Sequence, residues 1–212
     1  MPKNDKGGNF ERNESRYISL WWTNRTRDDV FWRNRTRITS KAFNAQQQCG
    51  DLQAFNTIGL PFTEVFSTEF KSGYSKKKTD STKKKIAKGK AVRAQKVRNV
   101  PWDLLEVLDS QVIDDHLVIL NFWGQCLSDA NLTNRIPLLI FKRDFHTPIV
   151  VVDITDFREF VNILGHMPSR SLTFADRNQG IRLSLYRQDD FFDWLTPEAI
   201  KIYHKRKESG NE

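Results

Sequence analysis

Asp51, Glu69 and Lys71 are the residues of this 212-residue chain whose types and spacing could do chemistry. Two strands are expected over 51–56 and 62–71, joined around "NTIGLP" as a β-hairpin. In the second strand Glu69 and Lys71 stand at i and i+2 and project to one face. Asp51 can reach that face from the partner strand, and the carbonyl of Phe70 lies between the two side chains. Two carboxylates and a carbonyl are hard oxygen donors suited to Mg²⁺, with Mn²⁺ as a substitute. Such a cation activates water and neutralises charge on a phosphoryl oxygen. A lysine beside it can orient the nucleophile or meet the developing charge. The chemistry in question is hydrolysis of a phosphodiester. The same three residues would also serve as the charged edge of an ordinary hairpin, where Lys and Glu deter aggregation.

Charge distribution bears on the partner. The formal net charge is +8, yet residues 75–100 carry nine Lys and two Arg against Asp80 alone, which leaves the rest of the chain at −2. The run includes Lys76, Lys77, Lys78, Lys83, Lys84 and Lys85. A second cluster holds Arg25, Arg27, Arg33, Arg35, Arg37 and Lys41 against Asp28 and Asp29. Basic segments of this kind suit a phosphate backbone, whose neutralisation releases counterions. They also suit a solvated linker. Trp22 and Trp32 could stack on bases, whereas Trp21 and Phe31 read as core. Asp28 and Asp29 fit a turn held by salt bridges, or a further ligand beside the metal.

The elements that must position these groups follow from periodicity. Residues 1–8 read as a disordered lead. A helix is expected from an Asn9 N-cap to about Trp22, with Phe10, Tyr17, Ile18 and Trp21 on one face. Glu14 falls within that apolar face and Glu11 at its edge. The polar segment 23–48 reads as a long loop with at most a short strand. "PWDLLEVLDS" opens a helix, and another covers 113–130 with Ile113, Leu117, Leu120, Gly124 and Leu127 as its stripe. "RIPLLIFKRD" and "TPIVVVDI" have the length and apolarity of buried strands. "TDFREFVNILG" reads as a short helix with a capping box from Asp156 to Glu159 and a stop at Gly165. Strands at "SLTFA" and "GIRLSLY" and a helix at "DDFFDWLTPEAIKIYHKR" complete the chain. The sum is a mixed α/β core with helices on both sheet faces over 9–165, a lysine-rich arm at 75–100, and a C-terminal β-β-α extension over 166–212.

Other classes find little support. No run of about 18 apolar residues could cross a membrane, and the first residues lack the apolar stretch of a secretory signal. Cys49 and Cys126 are too few for a disulfide framework, which favours a reducing cytoplasm. His116, His146, His166 and His204 show no ligand spacing.

"GD…EFK" after a helix bearing "FER" resembles the PD-(D/E)xK nuclease superfamily, which includes restriction enzymes and Holliday-junction resolvases. More narrowly, "FERNESRYISLWWTNRTRDDVFWR", "GDLQA…FSTEFKSGY", "FWGQCLSDA" and "IPLLIFKRD" resemble, in order and spacing, a group of uncharacterised phage and prophage proteins of that superfamily. The loop after "FWR" departs from that group in having no glycine. The resemblance implies a restriction-endonuclease-like α/β fold, Asp51 and Glu69 as metal ligands with the Phe70 carbonyl, and Lys71 as the catalytic lysine. It implies that Glu11 approaches the metal through water, although the helical wheel makes Glu14 the more inward acid. It also implies that Gln125 faces the site. DNA is the implied substrate, with junctions or branches in view, and a homodimer would set two sites on two strands. The rival reading keeps the fold without the cutting, as a nucleic-acid-binding or structural phage protein.

Overall fold

The computed structural model describes residues 6–34, 50–72, 118–143, 145–177 and 180–209. The first helix, α1 (Lys6–Trp22), begins three residues before the expected Asn9 cap. Its apolar face buries Phe10, Ile18 and Trp22. The indole of Trp22 donates to the Ile58 carbonyl at 2.8 Å and that of Trp21 to the Phe192 carbonyl at 2.7 Å. These bonds satisfy the polar edge of each ring, as burial of tryptophan requires.

The expected hairpin is not formed. β1 (Phe31–Arg33) pairs antiparallel with β2 (Leu52–Ala54), and residues 60–65 are a helix, α2 (Leu60–Val65). Pro61 accounts for the helix, since its fixed φ suits a first turn. Asn56 prepares it by accepting the Ile58 N–H at 3.1 Å within the preceding 3₁₀ turn. The chain leaves α2 directly into β3 (Phe66–Ser72). Phe62 and Phe66 meet at 5.1 Å between ring centroids, a contact that the helix makes and one continuous strand could not.

The main sheet has five strands in the order β3-β4-β5-β7-β6, with β4 at Ile136–Lys142, β5 at Ile149–Asp153, β6 at Leu172–Asp176 and β7 at Ile181–Arg187. β3 and β4 run parallel with Glu69 opposite Leu139 and Lys71 opposite Phe141; the other pairs are antiparallel. A parallel pair needs a crossover, and α3 (Val118–Thr133) lies in it, packed on both strands. The residues expected as a C-terminal extension supply β6 and β7 to this same sheet.

Alternation along the strands builds two cores. Phe66, Phe70, Leu138, Ile140, Val150 and Val152 face an aromatic-rich core shared with α1, α2, α4 (Arg158–Leu164), α5 (Gln188–Trp194) and α6 (Pro197–Ser209). Leu139, Phe141, Val151 and Leu183 face the other side, against Phe122, Trp123 and Cys126 of α3. Of the stripe expected on α3, Leu120 packs against this core, Gly124 and Leu127 are exposed, and Ile113 and Leu117 lie outside the described residues. The two large rings carry more apolar area than the leucines, and they claim the sheet.

Two local expectations change as well. α4 starts without a side-chain cap, and Asp153 instead binds the Thr155 N–H and hydroxyl at 2.9 and 2.6 Å. Gly165 ends α4 in the left-handed region, at φ 75°, as expected. The single C-terminal helix is two, α5 and α6, because the residue before Pro197 is pushed out of the helical region.

Candidate metal and nuclease site

Among the described residues β3 is an edge strand of the main sheet, and its outer edge is where the site forms. The Asp51 N–H donates to the Thr68 carbonyl at 2.7 Å, and the Phe70 N–H donates to Asp51 Oδ2 at 2.8 Å. Asp51 thus satisfies the edge that a sixth strand would otherwise pair. A residue in a ladder presents its N–H and its C=O to the same neighbour, so the Phe70 carbonyl opens to the same edge. The preceding Gly50 permits this approach. Its φ is +86°, and a Cβ placed there would lie 2.8 Å from the Thr68 carbonyl oxygen. Only glycine accepts that conformation and that contact together.

Glu69 and Lys71 project from β3 on the α3 side, one pleat apart. Glu69 is buried, and its carboxylate is ion-paired with the Lys71 ammonium. Lys71 Nζ also lies 5.9 Å from the centroid of the Phe122 ring, within reach of a cation–π contact. Cys126, one turn on, approaches the Ser67 carbonyl at 3.7 Å. Burial first, and then Glu69, pushes its thiol far above the ordinary range, so it is a neutral packing group.

The β1 strand brings in the other acid. Its Phe31 N–H donates to Ser19 Oγ at 2.9 Å, which pins the strand to α1. Two residues on, Arg33 reaches Glu11 at 3.4 Å. Asn34 then donates its N–H to the Asp51 carbonyl at 2.7 Å. The end of β1 therefore touches both Glu11 and Asp51.

Burial pushes the Asp51 carboxyl up to about 7, and the charges of Glu69 and Glu11 push the same way. The Phe70 N–H and the Lys71 ammonium oppose them. Glu69 and Asp51 thus form an electron-rich, water-poor pair of hard oxygen donors, and this donor set fits a divalent cation. Asp51, Glu69 and the Phe70 carbonyl are the groups that would hold it, with water completing the shell. Among the described residues, no three His, Cys, Asp or Glu side chains gather at metal-holding spacing.

Glu14 and Glu11 part company here. Glu14 is the more buried, at 6 % exposure, but it accepts a hydrogen bond from Gln188 at 2.6 Å and lies under the influence of Lys142. Burial pushes it up to about 7. Glu11 is the acid that acts on Asp51.

Gln125 is exposed on α3, three residues beyond Phe122. Arg27 is paired with Asp29, and Arg16 with Asp28, so these two aspartates hold a turn. Arg35, Arg37, Lys41, Lys76, Lys77, Lys78, Lys83, Lys84 and Lys85 lie outside the described residues. Sequence reasoning counts Arg33 among the phosphate-binding arginines and does not connect it with Glu11. The alternation of Phe31, Trp32 and Arg33 carries that signal, because it turns Phe31 and Arg33 to the same side.

No helix of the described residues is long and apolar enough to cross a membrane. Comparison with curated proteins and with solved structures returns no match. Residues 106–201 match the family model described as "Phage putative PDDEXK endonuclease". The match spans α3, β4, β5, α4, β6, β7, α5 and the start of α6, and it stops short of Asp51, Glu69 and Lys71. The five-stranded mixed sheet with helices on both faces is compatible with a nuclease-like fold. The family name suggests nuclease activity, and nucleases of this kind generally use divalent metals. The match likens this part of the chain, somewhat less than half of it, to a phage PD-(D/E)xK family.

Proposed function

We propose that the chain is a metal-dependent DNA endonuclease, with Asp51, Glu69 and Lys71 as its working residues. The observation that carries this reading is the seating of Asp51 on the outer edge of β3, beside a buried Glu69 and its Lys71 partner. Asp51, Glu69 and the Phe70 carbonyl would hold Mg²⁺, or Mn²⁺ in its place. The bound cation supplies charge neutralisation at the phosphoryl oxygens and acidifies water. Lys71 leaves Glu69 and turns its ammonium to the attacking water or the scissile phosphate, where negative charge grows. Glu11, steadied by Arg33, orders water at the rim of the site. Asp51 must lose its proton before it can serve as a ligand. The cationic residues of 25–41 and 75–100 suit the phosphate backbones of DNA, and the substrate we propose is a DNA structure such as a branch or junction rather than a long base sequence.

The test is cleavage of labelled linear duplex, single strand, flap and four-way junction, each with Mg²⁺, Mn²⁺ or EDTA. Wild type should cut in metal and not in EDTA. Lys71→Ala should bind the same DNA and cut at least about a hundredfold more slowly, the size of losing one preorganised charge-stabilising group. Salt-sensitive binding with no cutting in any metal would leave a non-catalytic DNA-binding protein on a nuclease-like scaffold.

A further inference from the structure

The β1–β2 ribbon has two faces. Inward, Phe31 enters the core and Arg33 reaches Glu11. Outward, Trp32 stands opposite Gln53 and is 46 % exposed, and Phe55, where the ribbon ends, is 75 % exposed. Tryptophan buries more area than almost any other residue, and it is seldom left this open without a partner. Trp22 and Trp21, ten residues earlier, are both engaged through their indole N–H. Trp32 alone of the three presents its ring to solvent.

We infer that Trp32 is a stacking platform for an unpaired nucleobase beside the cleavage site, with Phe55 as a second contact. This deepens the nuclease reading by naming the feature of the substrate that is recognised. Charge and spacing both favour a nucleic acid over a protein partner. Near Trp32 in sequence stand Arg25, Arg35 and Arg37, beside Arg27 and Arg33, which are already paired with Asp29 and Glu11, and the remaining acid, Asp28, is bonded to Arg16. Aromatics set among cations suit single-stranded chains, because every base has a π-face and every nucleotide a phosphate. Gln53 is two residues from Asp51, so at about 3.4 Å per strand residue Trp32 lies within roughly one or two nucleotides of the metal ligands. A base cannot stack there while it is paired in a duplex. A substrate that offers an unpaired base next to the cut is therefore preferred.

The test measures binding in EDTA, where no cutting occurs, so its outcome is independent of catalysis. The probes are a fluorescein-labelled single strand, a blunt duplex, and an abasic strand of the same length that keeps its phosphates and lacks its bases. The proteins are wild type, Trp32→Ala, Trp32→Phe, and Leu132→Ala as an exposed apolar control on α3. Trp32→Ala should weaken single-strand binding roughly tenfold, the effect of losing one stacked base, while Trp32→Phe stays within about threefold. Duplex binding should not change, and on the abasic strand wild type and Trp32→Ala should bind equally. Equal single-strand affinity for wild type and Trp32→Ala would overturn the inference, as would an equal loss on the abasic strand. A Trp32→Ala change that turns a dimer into a monomer in sedimentation would overturn it too, assigning the face to a second copy. Should wild type cut no DNA while Trp32→Ala still loses the single strand, the stacking site stands and the nuclease reading falls.

Discussion

The carboxylate of Asp51 accepts the Phe70 N–H at 2.8 Å, and that bond fixes the acid against the strand that carries Glu69 and Lys71. Glu69 lies eighteen positions after Asp51 in sequence, yet one backbone amide sets their relation. The bond also leaves the second oxygen of Asp51 for a cation. Asp51→Asn keeps an acceptor for the Phe70 N–H and removes the charge. At pH 8 in EDTA the variant should be the more stable protein, by roughly 5 °C in melting temperature, since a buried repulsive charge has gone. In the presence of Mn²⁺ it should gain no further stability, whereas wild type should rise with the metal by mass action. Thermal scans with and without Mn²⁺ measure both effects.

The raised Asp51 group also makes metal binding depend on pH. A cation and a proton compete for the same carboxylate. Because the carboxyl is pushed up to about 7, apparent metal affinity should fall about tenfold for each pH unit below 7 and level off above 8. Calorimetry at pH 6 in two buffers of different ionisation enthalpy should count close to one proton released per ion. A pH-independent affinity between 5.5 and 7.5 would show that Asp51 is not a ligand.

Gly50 gives the tightest steric prediction. With φ at +86° and a would-be Cβ at 2.8 Å from the Thr68 oxygen, alanine must push Asp51 off the β3 edge or strain the turn. Gly50→Ala should cost about 1–3 kcal/mol in chemical denaturation. It should also weaken Mn²⁺ binding more than it weakens DNA binding in EDTA, because the ligand moves and the net positive charge is unchanged.

What is legible in the sequence and what is not divide in this same region. β4, β5, β6 and β7 are readable because each is a short apolar run bounded by turn residues. Glu69 and Lys71 are readable because two residues on one strand need no knowledge of a partner. The partner of β3 is not readable. Phe62 to Phe70 alternates well enough to pass for one long strand, and Pro61 reads as part of a turn, where it instead starts α2. Asp51 reaches Glu69 through an edge contact and a glycine conformation, and β2 pairs with β1, some twenty residues earlier in the sequence. Those are long-range choices of backbone pairing, and periodicity within a segment does not encode them. The helical wheel ranks Glu14 above Glu11 by burial, and burial is what it measures; which neighbour each acid meets depends on β1 and α5.

That distinction between the two acids can be tested directly. Glu14 lies in the α1–α5 interface with Gln188 Nε2 at 2.6 Å and is pushed up to about 7 by burial. A carboxyl raised in the folded state keeps its proton there at pH values where the unfolded chain has lost it. The folded form is therefore favoured at low pH, and stability drops as pH climbs from about 4.5 to about 7. Glu14→Gln keeps the acceptor for Gln188 and removes the ionisation. It should flatten that part of the stability profile and make the protein more stable at pH 8, with DNA cleavage within about twofold of wild type. Glu11→Gln is the counterpart. It should remove the ion pair with Arg33 and lower cleavage by about tenfold or more through the water it orders. Urea titrations from pH 5 to 8, paired with single-turnover cleavage, separate the two. Equal losses of cleavage in both variants would place Glu14 in the working site and leave Glu11 with no role of its own.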